Sequence, residues 1–221
     1  MAATRTKSVE RLFGMPDSAR TGRERLVVTA VDLIYRHGFG AVGVDQVIAT
    51  AGVTKTTFYK HFAGKGDLMV AAVVRRDEWE RQAWERAVRE RAGDDPVRRF
   101  LATVEVMDLW FNSPEFSGCM FVNAATEFPN PSDPIHRAAA ARMTRMRAER
   151  RDLAQSAGAS PGDAEIFADC FTAMLEGAFV LRQSYGRNDA ARVVLPGLVH
   201  LIEAYLRPVA TTAPTSRKGR A

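Results

Sequence analysis

Gly43-Val44-Asp45-Gln46-Val47-Ile48-Ala49-Thr50-Ala51-Gly52-Val53-Thr54-Lys55-Thr56-Thr57-Phe58-Tyr59-Lys60-His61-Phe62 reads as two short helices joined by a tight turn. Val44, Val47, Ile48 and Ala51 fall at helical spacing on one face. Gly52 supplies the permissive backbone at the corner, and Val53 returns to the core. The side-chain oxygen of Thr54 is placed to cap the second helix by accepting an orphan N–H of its first turn. Phe58 and Phe62, four apart, point inward, which leaves Lys55, Thr57, Tyr59, Lys60 and His61 on or near the outer faces. So much cationic, hydroxyl and aromatic capacity on one short helix suits phosphates and base edges.

The charge distribution points the same way. The net charge is +5, and residues 1–68 hold ten Lys and Arg against six Asp and Glu, while residues 69–221 hold 21 against 20. The excess therefore sits on the segment with the two-helix pattern, as steering toward nucleic acid requires, although a basic protein also carries surplus charge by chance. An apolar content of 46% in 221 residues is that of a globular chain able to bury a sizeable core. Cys119 and Cys170 lack metal-ligand spacing and read as buried free thiols. No run of eighteen apolar residues predicts a membrane span, and Arg5 and Lys7 precede no apolar stretch of a secretory signal. A cytoplasmic location is expected.

Around the central stretch the pattern is helical throughout, with about nine helices in all and no strand alternation or internal repeat. Residues 1–20 are expected to form a flexible basic arm. Thr21-Gly22-Arg23-Glu24 is a capping-box pattern, opening a helix that ends near His37-Gly38. Gly64-Lys65-Gly66-Asp67-Leu68 opens a long helix to about Arg91. Asp95-Pro96, Asp133-Pro134 and Ser160-Pro161 are cap-and-proline starts of further helices. A shorter apolar segment covers 119–128, and Pro196-Gly197 is expected to kink or split the last helix, 189–206. Residues 207–221 form a low-complexity basic tail, expected to be disordered. The predicted organisation is thus an all-α chain with a three-helix head at 21–68 and a larger helical body at 69–206.

Other chemistries find little support. Gly64-Lys65-Gly66 lacks the remaining glycine, the following Ser or Thr and the preceding strand of a phosphate loop. His37, His61, His136 and His200 are scattered, with no paired-histidine metal motif, and no recognisable nucleophile turn exists. Glu165, Asp169 and Glu176 on one helix read mostly as a solvated stripe. Neither a catalytic residue, a metal site nor a cofactor is predicted.

The head closely resembles the TetR family of bacterial transcriptional regulators. The resemblance rests on Arg23 to His37, the 43–62 unit, and the spacing Gly52-Val53, Tyr59, Phe62, Lys65 and Leu68, about 47 residues in all. The segment Gly118-Cys119-Met120-Phe121-Val122-Asn123-Ala124-Ala125, with Glu127-Phe128, resembles one broad branch of that family. Two departures stand out: Ile48 replaces a common alanine, and Gly43 replaces the usual Ser or Thr before the first of the two helices. The resemblance implies an all-helical homodimer, a ligand pocket inside each larger domain, and release from a double-stranded DNA operator when a small molecule binds.

On that basis Lys55 and Thr57 are expected at base edges, Tyr59, Lys60 and Lys65 at phosphates, and His61 either at a phosphate or partly buried. Thr54, Thr56 and Gln46 are further candidates, and Arg23 and Arg25 are placed to clamp the flanking strand. Trp79, Met107, Trp110, Phe111, Met120, Phe121, Met143, Met146, Phe171 and Met174 are candidate pocket residues for a bulky, largely apolar or aromatic effector. Asn123 and Glu127 would orient it. Phe167, Phe171, Met174, Phe179, Leu198, Leu201 and Tyr205 are the expected four-helix dimer interface. The residues also leave open a regulator without an effector, or one that activates. More remotely they allow a helical ligand-binding protein or enzyme with an incidental basic head.

Overall fold

The computed structural model of the protein describes residues 21–206; the arm and tail expected from sequence lie outside them. All regular structure in this span is helical: α1 (Gly22–His37), α2 (Val44–Ala51), α3 (Lys55–His61), α4 (Lys65–Ala92), α5 (Pro96–Phe111), α6 (Met120–Glu127), α7 (Pro134–Ser156), α8 (Pro161–Tyr185), α9 (Ala190–Val193) and α10 (Leu195–Tyr205). The predicted final helix is divided at Val194 into α9 and α10. Pro196 lies in the first turn of α10, where it has no N–H to donate back to α9 and so suits a helix start.

The local signals behave as the chain chemistry requires. Thr21 Oγ1 accepts from the Glu24 amide at 3.2 Å, and the Glu24 carboxylate accepts from the Thr21 amide at 2.9 Å. Truncating this reciprocal cap with Thr21→Ala is expected to lower stability by about 1 kcal/mol, read from the urea midpoint at unchanged slope. Asp95, Asp133 and Ser160 accept first-turn amides ahead of their prolines. Gly52 takes the left-handed conformation, φ 61 and ψ 41, at the corner between α2 and α3.

Two cores result. The head core gathers Leu26, Ala30, Ile34, Val47, Phe58 and Phe62 with Leu68, Met69, Ala72 and Val73 of α4. It also takes in Met120, Phe121 and Ala124 of α6 and Ile135 and Ala139 of α7. The body core is built from the later part of α4, from α5, and from α8 to α10, around Trp79, Phe100, Trp110, Phe167, Phe171 and Leu198. Helix α4, 28 residues and about 42 Å long, contributes to both.

Between the two cores lies a buried ionic cluster. Arg76 is 1% exposed, Glu80 3% and Arg142 7%. Glu80 accepts from Arg76 Nε at 2.9 Å and from Arg142 Nη2 at 2.6 Å, while Arg142 Nη1 reaches Asp77 at 3.1 Å. The Arg76 guanidinium sits over the Tyr35 ring at 4.6 Å and that of Arg142 over Phe121 at 3.9 Å. Cations this buried are tolerated because carboxylates and ring faces replace much of the lost hydration.

Candidate nucleic-acid interface and ligand cavity

The outward face of α3 presents Lys55, Thr56, Tyr59, Lys60 and His61 together, all exposed. Tyr59 is 65% exposed although its ring edge rests on Phe58, 5.1 Å between centroids. A large aromatic held upright in solvent beside two lysines is a ready phosphate or base contact. Lys55 Nζ pairs with Asp45 of α2 at 2.9 Å, and the hydrogen bond to that carboxylate raises the lysine's pKa. Both groups are well exposed, so the pair is weak and a DNA acceptor can displace Asp45. Gln46 on α2 and Arg25 on α1 are exposed, and Arg23 lies over the Phe62 ring at 5.4 Å.

Three residues expected on the reading face are otherwise engaged. Thr54 Oγ1 caps α3 by accepting from the Thr57 amide at 3.1 Å, and the two hydroxyls lie 3.0 Å apart. Thr57 is turned toward α1, its methyl so close to Gly22 that an added Cβ there would stand 2.8 Å away. Its methyl therefore packs at the joint between α1 and α3, while its hydroxyl lies against the Thr54 cap of α3. Lys65 is half-buried and donates to the Gly40 carbonyl at 3.4 Å.

In the body a cavity of about 530 Å³ opens between α4, α5, α7 and α8. Met107, Trp110, Met143, Met146 and Phe171, all expected from sequence, line it. The other candidates lie elsewhere. Trp79 is packed in the body core, and Phe111 sits in an aromatic cluster with Phe116 and Phe179. Met120 and Phe121 belong to the head core. Asn123 accepts from Gln183 at 3.4 Å, and the Met174 methyl lies 3.0 Å from where a Cβ on Gly197 would stand. The Glu127 carboxylate accepts the amides of Phe39 and Gly40, at 3.3 and 2.9 Å, and so ties α6 to the head.

What sequence reasoning missed is the charge in the cavity wall: Glu80, Glu85, Arg99, Arg142, Arg150 and Glu176. Its trace was there in α7, where Met143, Met146, Arg150 and Leu153 recur at helical spacing with an arginine inside the apolar stripe. Glu176, read with Glu165 and Asp169 as solvated, is instead partly buried in the wall. Burial raises its pKa against the opposing pull of Arg150 and Arg142. Glu165 and Asp169 do face solvent and pair with Arg147. Cys119 also lines the cavity; burial pushes its thiol up to about 11, so it is neutral at pH 7. Cys170, expected buried, is exposed on α8.

The cavity is wired to the head. Trp110, in its wall, donates Nε1–H to the Tyr35 hydroxyl of α1 at 3.3 Å, and that hydroxyl also accepts the Ser117 amide at 3.0 Å. Glu80 and Arg142, in the same wall, belong to the ionic cluster on which Tyr35 rests.

The expected dimer residues are largely inside the protomer. Phe167, Phe171 and Leu198 are fully buried in the body core, and Met174, Phe179, Leu201 and Tyr205 pack against it. The free face of α8 is the opposite one: Ile166, Cys170, Ala173, Gly177 and Val180, spaced four and three apart and all exposed. On α9 and α10, Val193 and Val199 are likewise exposed. Helix α8 is apolar on both sides, so its pattern does not reveal which side turns inward; the large aromatics took the core, where they bury most area.

A helix-turn-helix head joined to an all-helical body with an internal cavity defines a class, the DNA-binding transcriptional regulators. The model of bacterial regulatory proteins of the tetR family matches residues 26–72, and that of the tetracyclin repressor-like C-terminal domain matches residues 96–198. The chain belongs to the TetR family. It is similar to a TetR-family regulator from Streptomyces coelicolor, 28% identical, over 83% of this chain and 95% of that one with a TM-score of 0.73. A putative regulator from Streptomyces avermitilis is 26% identical, over 85% and 100% of the two chains with a TM-score of 0.74. A Chloroflexus aurantiacus regulator, 24% identical over 85% and 96% with a TM-score of 0.72, shares the fold. The chain is thus a regulator of transcription and not an enzyme. Among the described residues no helix is long and apolar enough to cross a membrane.

Proposed function

We propose that this protein is a cytoplasmic repressor that binds a palindromic operator as a homodimer and leaves it when a small molecule fills the body cavity. In this reading residues 21–68 form the DNA-binding unit and 69–206 the ligand-binding and dimerisation unit. The observation that carries it is the hydrogen bond from cavity-lining Trp110 to Tyr35 on α1, which gives an occupant of the cavity direct purchase on the head. A cavity of about 530 Å³ suits a small organic molecule. Release requires only that the ligand favour one head arrangement by about 1–3 kcal/mol, a 5–150-fold change in operator affinity.

On the DNA side, Lys55, Thr56, Tyr59 and Lys60 are the reading residues, with His61, Gln46, Arg23 and Arg25 at the flanks. Thr54, Thr57 and Lys65 support the head instead. Lys55→Ala and Tyr59→Ala are each expected to weaken operator binding about tenfold with folding unchanged, and the Lys55 variant to flatten the salt dependence by about one counterion. Mobility shifts at several salt concentrations check this, and wild-type affinity in both variants would remove α3 from the interface. Selection of bound genomic fragments, followed by titration of small molecules against the complex, tests the whole reading. An operator that no compound releases would favour a regulator without an effector.

A further inference from the structure

Among the described residues, one partly buried cation of the cavity wall has no ion-pair partner. Arg99 is held by Glu85 at 2.7 Å, Arg142 by Glu80 at 2.6 Å, and Arg81 is exposed at the rim. Arg150 forms no ion pair among the described residues. Its Nη1 donates to Thr172 Oγ1 at 2.7 Å, and that hydroxyl in turn donates a hydrogen bond to the Ala168 carbonyl. A neutral hydroxyl satisfies one N–H and brings no counter-charge, and Arg150 lines a cavity whose wall mixes apolar side chains with charged ones. The guanidinium carbon lies over the Phe171 ring, 5.4 Å from its centroid. Burial depresses the Arg150 pKa to about 10, so the group is still cationic at pH 7. Glu176 in the same wall attracts Arg150 but forms no ion pair with it, and burial raises the Glu176 pKa.

We infer that the cavity selects an amphipathic organic anion, an aromatic body carrying a single carboxylate, with Arg150 as its anchor. The inference rests on the cavity being the effector site. A carboxylate fits the planar fork bidentately, and at a partly buried guanidinium the pair gains more than it would in bulk water. The ring of such a ligand would lie among Trp84, Trp110, Met143 and Met146, which supply flat and adaptable apolar surface. A cationic ligand drawn to Glu176 would instead share the cavity with the Arg150 guanidinium, which repels it.

The test uses three probes sharing one ring system: 1-naphthylacetate, 1-naphthylacetamide and 2-(1-naphthyl)ethylamine, titrated calorimetrically into the full-length protein and scored for operator release. The carboxylate is expected to bind ten- to a hundredfold more tightly than the amide or the amine. Arg150→Gln should erase that preference and leave amide binding unchanged, and Arg150→Lys should restore part of it. Equal or tighter binding of the amide or amine, no binding of any probe, or an unchanged preference in Arg150→Gln would overturn the inference. Met146→Trp, which fills the chamber, separates this from the broader reading. If probes bind that folded variant as they bind wild type, the cavity is not the effector site at all.

Discussion

Glu80→Ala is expected to destabilise the protein by about 3–5 kcal/mol, a large part of the 5–15 kcal/mol that holds an ordinary domain folded. Glu80 is the shared anion of Arg76 and Arg142, both buried, and among the described residues no other carboxylate pairs with Arg76. Removing it strands a guanidinium that already leaves its Nη2 without a hydrogen-bond partner. The same physics predicts strong non-additivity. Replacing Arg76, Glu80 and Arg142 together with Met, Leu and Met should cost less than Glu80→Ala alone, because no charge is left unpaired in a dry site. Urea unfolding of the three proteins decides the matter. A Glu80→Ala loss below about 1 kcal/mol would mean that water reaches the cluster and that it does not brace the joint between the cores.

If the proposed dimer forms, Val180→Glu should convert it to a monomer at micromolar concentration and reduce operator affinity at least a hundredfold. Val180 is 54% exposed in the protomer, so the substitution costs the isolated fold little. In a two-fold pairing through α8 and α10, the exposed stripe of Ile166, Cys170, Ala173, Gly177 and Val180 would meet its own copy. A carboxylate in that stripe would be buried unpaired and close to its symmetry mate, and both effects oppose association. A lone head then reads one half-site and loses the contribution of the second. Sedimentation velocity and mobility shifts report the two consequences separately. Phe171→Ala provides the contrast: it should lower stability by opening a core cavity, without placing a charge between subunits. A Val180→Glu protein that stays dimeric and binds its operator normally would place the subunit contact elsewhere.

Much of the architecture was legible in the chain because it is written locally. The capping box at Thr21 and Glu24, the left-handed corner at Gly52, the Thr54 cap and the three cap-and-proline starts all act within four residues. Phe58 and Phe62 were placed inward by helical periodicity alone. The candidate sites were less legible, since side-chain role depends on partners distant in sequence. Thr57 was read as a base contact from its position, yet Gly22, 35 residues earlier, draws it into the head joint. Glu127 was read as a pocket group, yet its acceptors are needed by two amides almost ninety residues away.

The sequence by itself determined the helices, their ends, the three-helix head and the exposed cationic and aromatic face of α3. These follow from backbone propensity, capping and a 3.6-residue period, which require no knowledge of what lies across the core. Only the tertiary structure decided which side of the doubly apolar α8 turns outward, which arginines are paired, and that Arg150 lines the body cavity with no ion pair among the described residues. Burial and charge compensation are properties of neighbours brought together by folding, and in this chain the residues that settle them lie on separate helices.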